Sequence, residues 1–137
     1  KSEKMKKILL LFISVMFCIS CSNSENTEDI GLSAQVVEFT YEGGNRSLST
    51  KVDTWWISNL RVNGVDIPSN DKNYAFIKGE YETVVGIKAS WVTIEKNGKK
   101  LNINVSDNTN SESREIIVTL QNSNFFDTVT IIQKPKK

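Results

Sequence analysis

From Ile30 to Lys137 apolar and polar residues alternate with period two, and β-branched or aromatic runs are punctuated by Gly, Asn, Asp and Ser clusters. That pattern builds short, half-buried strands and leaves no room for a long helix. It is clearest where Leu101, Ile103 and Val105 alternate with Asn102, Asn104 and Ser106, which makes one face apolar and the other wet. Ile116, Val118 and Leu120 repeat it, as do Val129 and Ile131, with a turn predicted over 121–124. Upstream, strands are predicted over 35–40, 46–52, 55–62, 83–89 and 91–95, with Gly43-Gly44-Asn45 and Asn97-Gly98 as turns. Asn63-Gly64 opens a polar connection in which Tyr74–Ile77 forms a short edge strand. About seven to nine short strands in roughly 100 residues predict an all-β domain, an immunoglobulin-like antiparallel sandwich of two sheets, with a small barrel as the alternative.

The amino-terminal region has a different character. A twelve-residue apolar run, Ile8 to Ile19, follows Lys6 and Lys7 and is closed by Ser20-Cys21. Crossing a bilayer as a helix takes about 20 apolar residues, whereas an apolar run of about 7–15 behind a basic flank is a cleavable export signal. Residues 1–20 therefore read as a lipoprotein signal peptide that is complete from Met5, with residues 1–4 upstream of the true start. Cys21 becomes the lipid-bearing first residue, 21–29 a polar tether and 30–137 the folded domain. The expected location is the outer membrane, lipid-anchored and facing the surface, with the membrane touched through that lipid alone.

Composition then removes several chemistries. Without residues 1–20 the chain holds 13 basic and 15 acidic residues, net −2, and its lysines are scattered, so no nucleic-acid partner is expected. Cys18 leaves with the signal and Cys21 is consumed by lipid, so the domain has no thiol for a disulfide, a nucleophile or a metal. It has no histidine either, which removes the commonest general base and most zinc sites. Paired carboxylates remain formally available to a glycosidase, but Glu80, Glu82, Glu95, Asp107, Glu112 and Glu115 fall in loops or on wet strand faces. Asp66, Asp71 and Asp107 with Asn108 and Asn110 could offer oxygens to calcium, yet turns explain them more simply. No catalytic residue, metal or cofactor is expected, and the chain is not read as an enzyme.

Trp55-Trp56-Ile57, Trp91-Val92-Thr93-Ile94, the Leu101–Val105 alternation, Asn108, Arg114 and Val129-Thr130-Ile131-Ile132-Gln133 together resemble the BACON domain, the Bacteroidetes-associated carbohydrate-binding module. The resemblance spans roughly Ile30 to Lys134 and is most specific in its C-terminal half. It implies an immunoglobulin-like β-sandwich in secreted or surface proteins, with non-catalytic binding of a glycan as the expected role. The alternative is a spacer, adhesion or protein-interaction subunit that meets an envelope or host surface protein, since fold alone does not fix function.

A sugar site sets flat aromatic faces beside amide, carboxylate or guanidinium groups. Most of the aromatics are expected in the core, where large side chains are needed. Alternation nevertheless puts Trp55 and Trp56 on opposite sides of their strand, and likewise Phe125 and Phe126. Trp56, Tyr74, Tyr81 and Phe126 are the candidate ligand-binding residues. Trp91 is expected to be structural, and Asn108 and Arg114 are assigned no ligand.

Overall fold

The structure, a computed structural model, describes residues 28–137; the predicted signal, Cys21 and most of the 21–29 tether lie outside the described residues. Among the described residues there are ten strands: β1 (Val36–Phe39), β2 (Gly44–Ser49), β3 (Trp56–Val62), β4 (Val65–Asp66), β5 (Ala75–Lys78), β6 (Val84–Lys88), β7 (Val92–Asn97), β8 (Lys100–Val105), β9 (Arg114–Asn122) and β10 (Phe125–Gln133). A 3-10 turn, Glu80–Glu82, precedes β6.

All ten join one sheet in the order β1-β10-β9-β3-β6-β7-β8-β2, with β4 flanking β3 and β5 flanking β6. The expected all-β class holds, but two features of the antiparallel sandwich do not. First, β1 runs parallel to β10, pairing Val36 with Thr130 through Phe39 with Gln133, so the sheet is mixed. The first and last strands of the domain meet at one edge, where no crossover between consecutive strands is needed. Second, the layers are continuous: Ile57 of β3 pairs with Val84 of β6, a single bridge between the β1-β10-β9-β3 half and the β6-β7-β8-β2 half. The outer strands β1 and β2 are themselves joined by only residues 40–43. The sheet thus rolls round until its ends nearly meet, the barrel-like alternative. Gly43 makes that short turn possible. Its φ is +74°, and a Cβ there would run into the backbone carbonyls of Val105 and Ser106.

The inward faces obey the alternation. Ile116, Val118 and Leu120 on β9, Val129 and Ile131 on β10, and Leu101, Ile103 and Val105 on β8 are buried in one core with Trp55, Ile57, Leu60, Ile87 and Ile94. Each such side chain contributes about 1.5–3 kcal/mol. Asn63-Gly64 does more than open a loop: both residues have positive φ, 47° and 81°, and they turn β3 tightly into β4.

The strand directions give the roll two ends. At the entry end lie Trp56, the Asn122–Phe125 turn, the Asn97–Lys100 turn and the first described residues, since Asn122 Nδ2 donates to the Glu28 carbonyl and the Leu32 N–H to Asp127. At the far end lie Val62, Trp91, Arg114, Tyr74 and the C-terminal residues after Gln133. Nine-residue β9 spans the distance between them, about 30 Å.

Candidate functional site

The four candidate residues divide between the two ends. Trp56 pairs with Gln121, and Gln121 with Phe126, so three neighbouring strands carry one outward row, Trp56–Gln121–Phe126. The two rings stand two strand spacings apart, on the order of 10 Å. Trp56 is half-buried and Phe126 is 60% exposed. Tyr81 belongs to the same end, on the turn leading into Val84, which pairs with Ile57 beside Trp56. It is 94% exposed, and both Tyr81 and Glu82 have positive φ, 55° and 60°. Tyr74 immediately precedes β5 at the far end and does not join the other three.

The expected split of the tandem tryptophans is present. Trp55 is 1% exposed; its indole N–H donates to Thr50 Oγ1 at 3.0 Å, and the Lys96 ammonium lies 5.1 Å from its ring centroid while donating to the Trp55 carbonyl at 2.8 Å. Burial holds the Lys96 pKa below its ordinary value, partly offset by Asp53. The phenylalanines behave differently from the expectation of one ring in and one out. Alternation sets their directions, but the hairpin projects past the core, so Phe125 as well as Phe126 is exposed.

At the far end Tyr74 and Trp91 line a cleft of about 600 Å³ with Val62, Asn63, Asn110 and Arg114, completed by serines 90, 111 and 113 and Glu112. The size suits a small ligand, and the lining combines two aromatic rings with amides, hydroxyls and one guanidinium. Asn63 is fixed by its turn and accepts the Glu115 N–H through Oδ1 at 2.9 Å. Arg114 stacks its guanidinium 4.7 Å from the Trp91 ring centroid and reaches Gln133 Oε1 at 3.4 Å. Tyr74 packs its ring against the core, and burial, reinforced by Asp71, raises its pKa above the ordinary 10.0. The phenol is therefore a hydroxyl donor at neutral pH.

Beneath this cleft sits a buried amide lattice. Gln133 Nε2 reaches the carbonyls of Thr40, Tyr41 and Ser106, the last at 2.7 Å. Asn108 Nδ2 donates to the carbonyls of Glu112 and Lys134, and its Oδ1 accepts the Asn110 N–H. Asn108 and Gln133 are fully buried. They tie the loops around the cleft to β10, a structural role for Asn108 that needs no ligand. Asp66 and Asp71 are likewise engaged locally, Asp66 with Asn59 and Arg61 and Asp71 with the Asn73 N–H.

A second groove, about 660 Å³, crosses the outer face of β2, β8 and β7. It contains no aromatic ring, and its amides satisfy one another across strands, Asn104 with Asn45 and Ser47 with Asn102. The far-end cleft is the better candidate. Of its lining only Tyr74 was a candidate from the sequence: Trp91 was expected to be structural, Arg114 was assigned no ligand, and Asn63 was missed although the Asn-Gly turn was the available signal.

Residues 80–134 match the BACON family, described as "Putative binding domain, N-terminal". A BACON domain is present, and its matched stretch runs from the 3-10 turn through β10, shorter than the Ile30–Lys134 resemblance. No curated protein matches the chain. Among solved structures, one titled "NMR structure of the protein from Bacteroides thetaiotaomicron" is similar with a TM-score of 0.62 at 18% identity, covering 78% of this chain and 81% of that one. At that identity the likeness is one of fold.

Proposed function

We propose that this BACON-containing chain is a non-catalytic binding module, tethered to the outer membrane through lipid on Cys21, that holds a glycan in the far-end cleft. The observation that carries the reading is the convergence of Tyr74 and Trp91 with Asn63, Asn110 and Arg114 in one cleft. The rings offer apolar surface to the C–H face of a sugar, and the amides, phenol and guanidinium offer donors and acceptors to its hydroxyls. The cleft also opens at the end away from Glu28, so a tether on that side leaves it facing outward.

Affinity gel electrophoresis across a panel of polysaccharides tests the site. Retardation by one or more of them should weaken on Tyr74→Phe, which keeps the ring packing, and on Asn63→Ala, while Trp56→Ala and Phe126→Ala leave it unchanged. Loss through Trp56 and Phe126 alone would move the site to the entry-end row. Mass spectrometry of the amino-terminal peptide tests the tether: acylated Cys21 is expected, and an unmodified amino terminus refutes it. One observation favours the docking alternative. Edge strand β1 leaves Val36 56% exposed beside a strand edge that no described strand pairs, the kind of surface another envelope protein could extend. Silence across every polysaccharide together with capture of an envelope protein lost on Val36→Lys would establish it.

A further inference from the structure

The entry end carries a set of exposed groups that the far-end cleft does not use. Phe125 and Phe126 project from the β9–β10 turn, and Tyr81 stands out from the 3-10 turn. The β7–β8 turn at the same end presents Lys99 and Lys100, both exposed. These two hairpins are neighbours through one connection: the Thr50 N–H donates to the Lys99 carbonyl, and Thr54 Oγ1 bonds Asn122 Oδ1. Left-handed backbone at Tyr81 and Glu82 is costly for residues with a Cβ, so the aromatic ring is displayed against a local penalty.

We infer that this end is a membrane-docking tip: Phe125 and Phe126 enter the lipid headgroup region, and Lys99 and Lys100 meet anionic phosphates, so that the domain stands upright on the bilayer with its cleft outward. The inference rests on the lipid tether proposed above. Its second support is chain length. Residues 22–28 separate Cys21 from the Glu28 carbonyl, which is held by Asn122 of the aromatic hairpin. Seven residues reach at most about 25 Å, less than the length of the domain, so the hairpin tip cannot stray far from the surface that holds the lipid. Exposed aromatics at the headgroup level and lysines against anionic lipid are the two standard contributions to interfacial binding. Glu80 and Glu82 beside Tyr81 oppose such lipid, which assigns the contact to the two hairpins and leaves Tyr81 at its margin.

The test uses the full chain, matured and lipidated in cells, then reconstituted into vesicles of phosphatidylethanolamine with about a third phosphatidylglycerol. An environment-sensitive dye is attached at Asn124→Cys on the entry end or at Ser111→Cys on the far end, each the single free thiol once the leader is gone and Cys21 is acylated. Quenching by spin-labelled lipid should be roughly threefold or more stronger at 124 than at 111. It should fall toward the far-end value on Phe125→Ser with Phe126→Ser, or on Lys99→Glu with Lys100→Glu. Equal quenching at both positions in vesicles that carry the protein overturns the docking tip and leaves the tether standing. Energy transfer between labelled copies without lipid quenching overturns it in favour of self-association, and protection of the 124 dye by polysaccharide in favour of a glycan row. Failure of the unlabelled protein to float with vesicles overturns tether and tip together, whereas polysaccharide retention by the cleft is read separately.

Discussion

The two ends of the roll are built by opposite means. At the far end polar groups are buried and satisfied: Gln133 and Asn108 tie five backbone carbonyls, and Arg114 spans Trp91 and Gln133. At the entry end large apolar groups are exposed and supported by little beyond their own hairpins. A buried amide lattice fixes loops in one geometry because any departure strands a donor or acceptor away from water. Such loops suit a preformed cleft. Exposed rings on short hairpins ask for a soft, forgiving partner instead. The contrast shows that the aromatic content of a small β domain says little until each ring is placed, because the same residue types serve the core, a cleft and a tip.

The sharpest way to break the contrast lies within the tandem tryptophans. Trp55→Ala should cost about 3–5 kcal/mol in urea unfolding, through the cavity it leaves and the loss of contacts to Thr50 and Lys96. Trp56→Ala should cost less than about 1 kcal/mol, because its ring is only half-buried on the outer face. Equal losses would mean that the entry end is held by its outer row after all. Next in size is Gln133→Leu, similar in volume but unable to donate. It should cost roughly 2–3 kcal/mol, since the Thr40, Tyr41 and Ser106 carbonyls lose a common partner. Glycan retention should fall with it, because the same amide steadies Arg114. Gly43→Ala tests the closing turn. With φ at +74° and backbone carbonyls in the way of a Cβ, a loss of at least about 1–2 kcal/mol is expected in the same unfolding measurement.

Much of the fold was legible. The Asn97-Gly98 turn, the Leu101–Val105 alternation and the edge strand near Tyr74–Ile77 follow from local chemistry, and most strands stand near where period two puts them, although β2 starts at Gly44 rather than 46, β9 runs on to Asn122 and β4 was not expected. The parallel β1–β10 edge and the Ile57–Val84 bridge were not legible, since each pairs residues remote in sequence and no local residue choice encodes which edge a strand joins. The site was legible only in part. Alternation separated Trp55 from Trp56 correctly, because both belong to one extended segment. It could not assign Tyr74 and Phe126 to opposite ends, which depends on how the sheet rolls, nor bring Asn63 beside Trp91 across separate turns. Phe125 escaped because facing and burial are different properties: an inward-pointing ring is exposed where the core stops short of the hairpin.

The smallest expected effect concerns the far-end phenol. Its pKa lies above 10.0, chiefly through burial and secondarily through Asp71. For a group whose folded pKa is raised, the folded state holds its proton longer, so the associated stability is fully present below the unfolded value and is lost as pH rises through the folded one. Tyr74 should add no pH dependence between pH 6 and about 9.5. An ultraviolet alkaline titration should show a late tyrosine step, and Tyr74→Phe should remove it. A late step that survives Tyr74→Phe would not belong to Tyr74, and its phenol would then lack the desolvation that the packed wall of the cleft imposes.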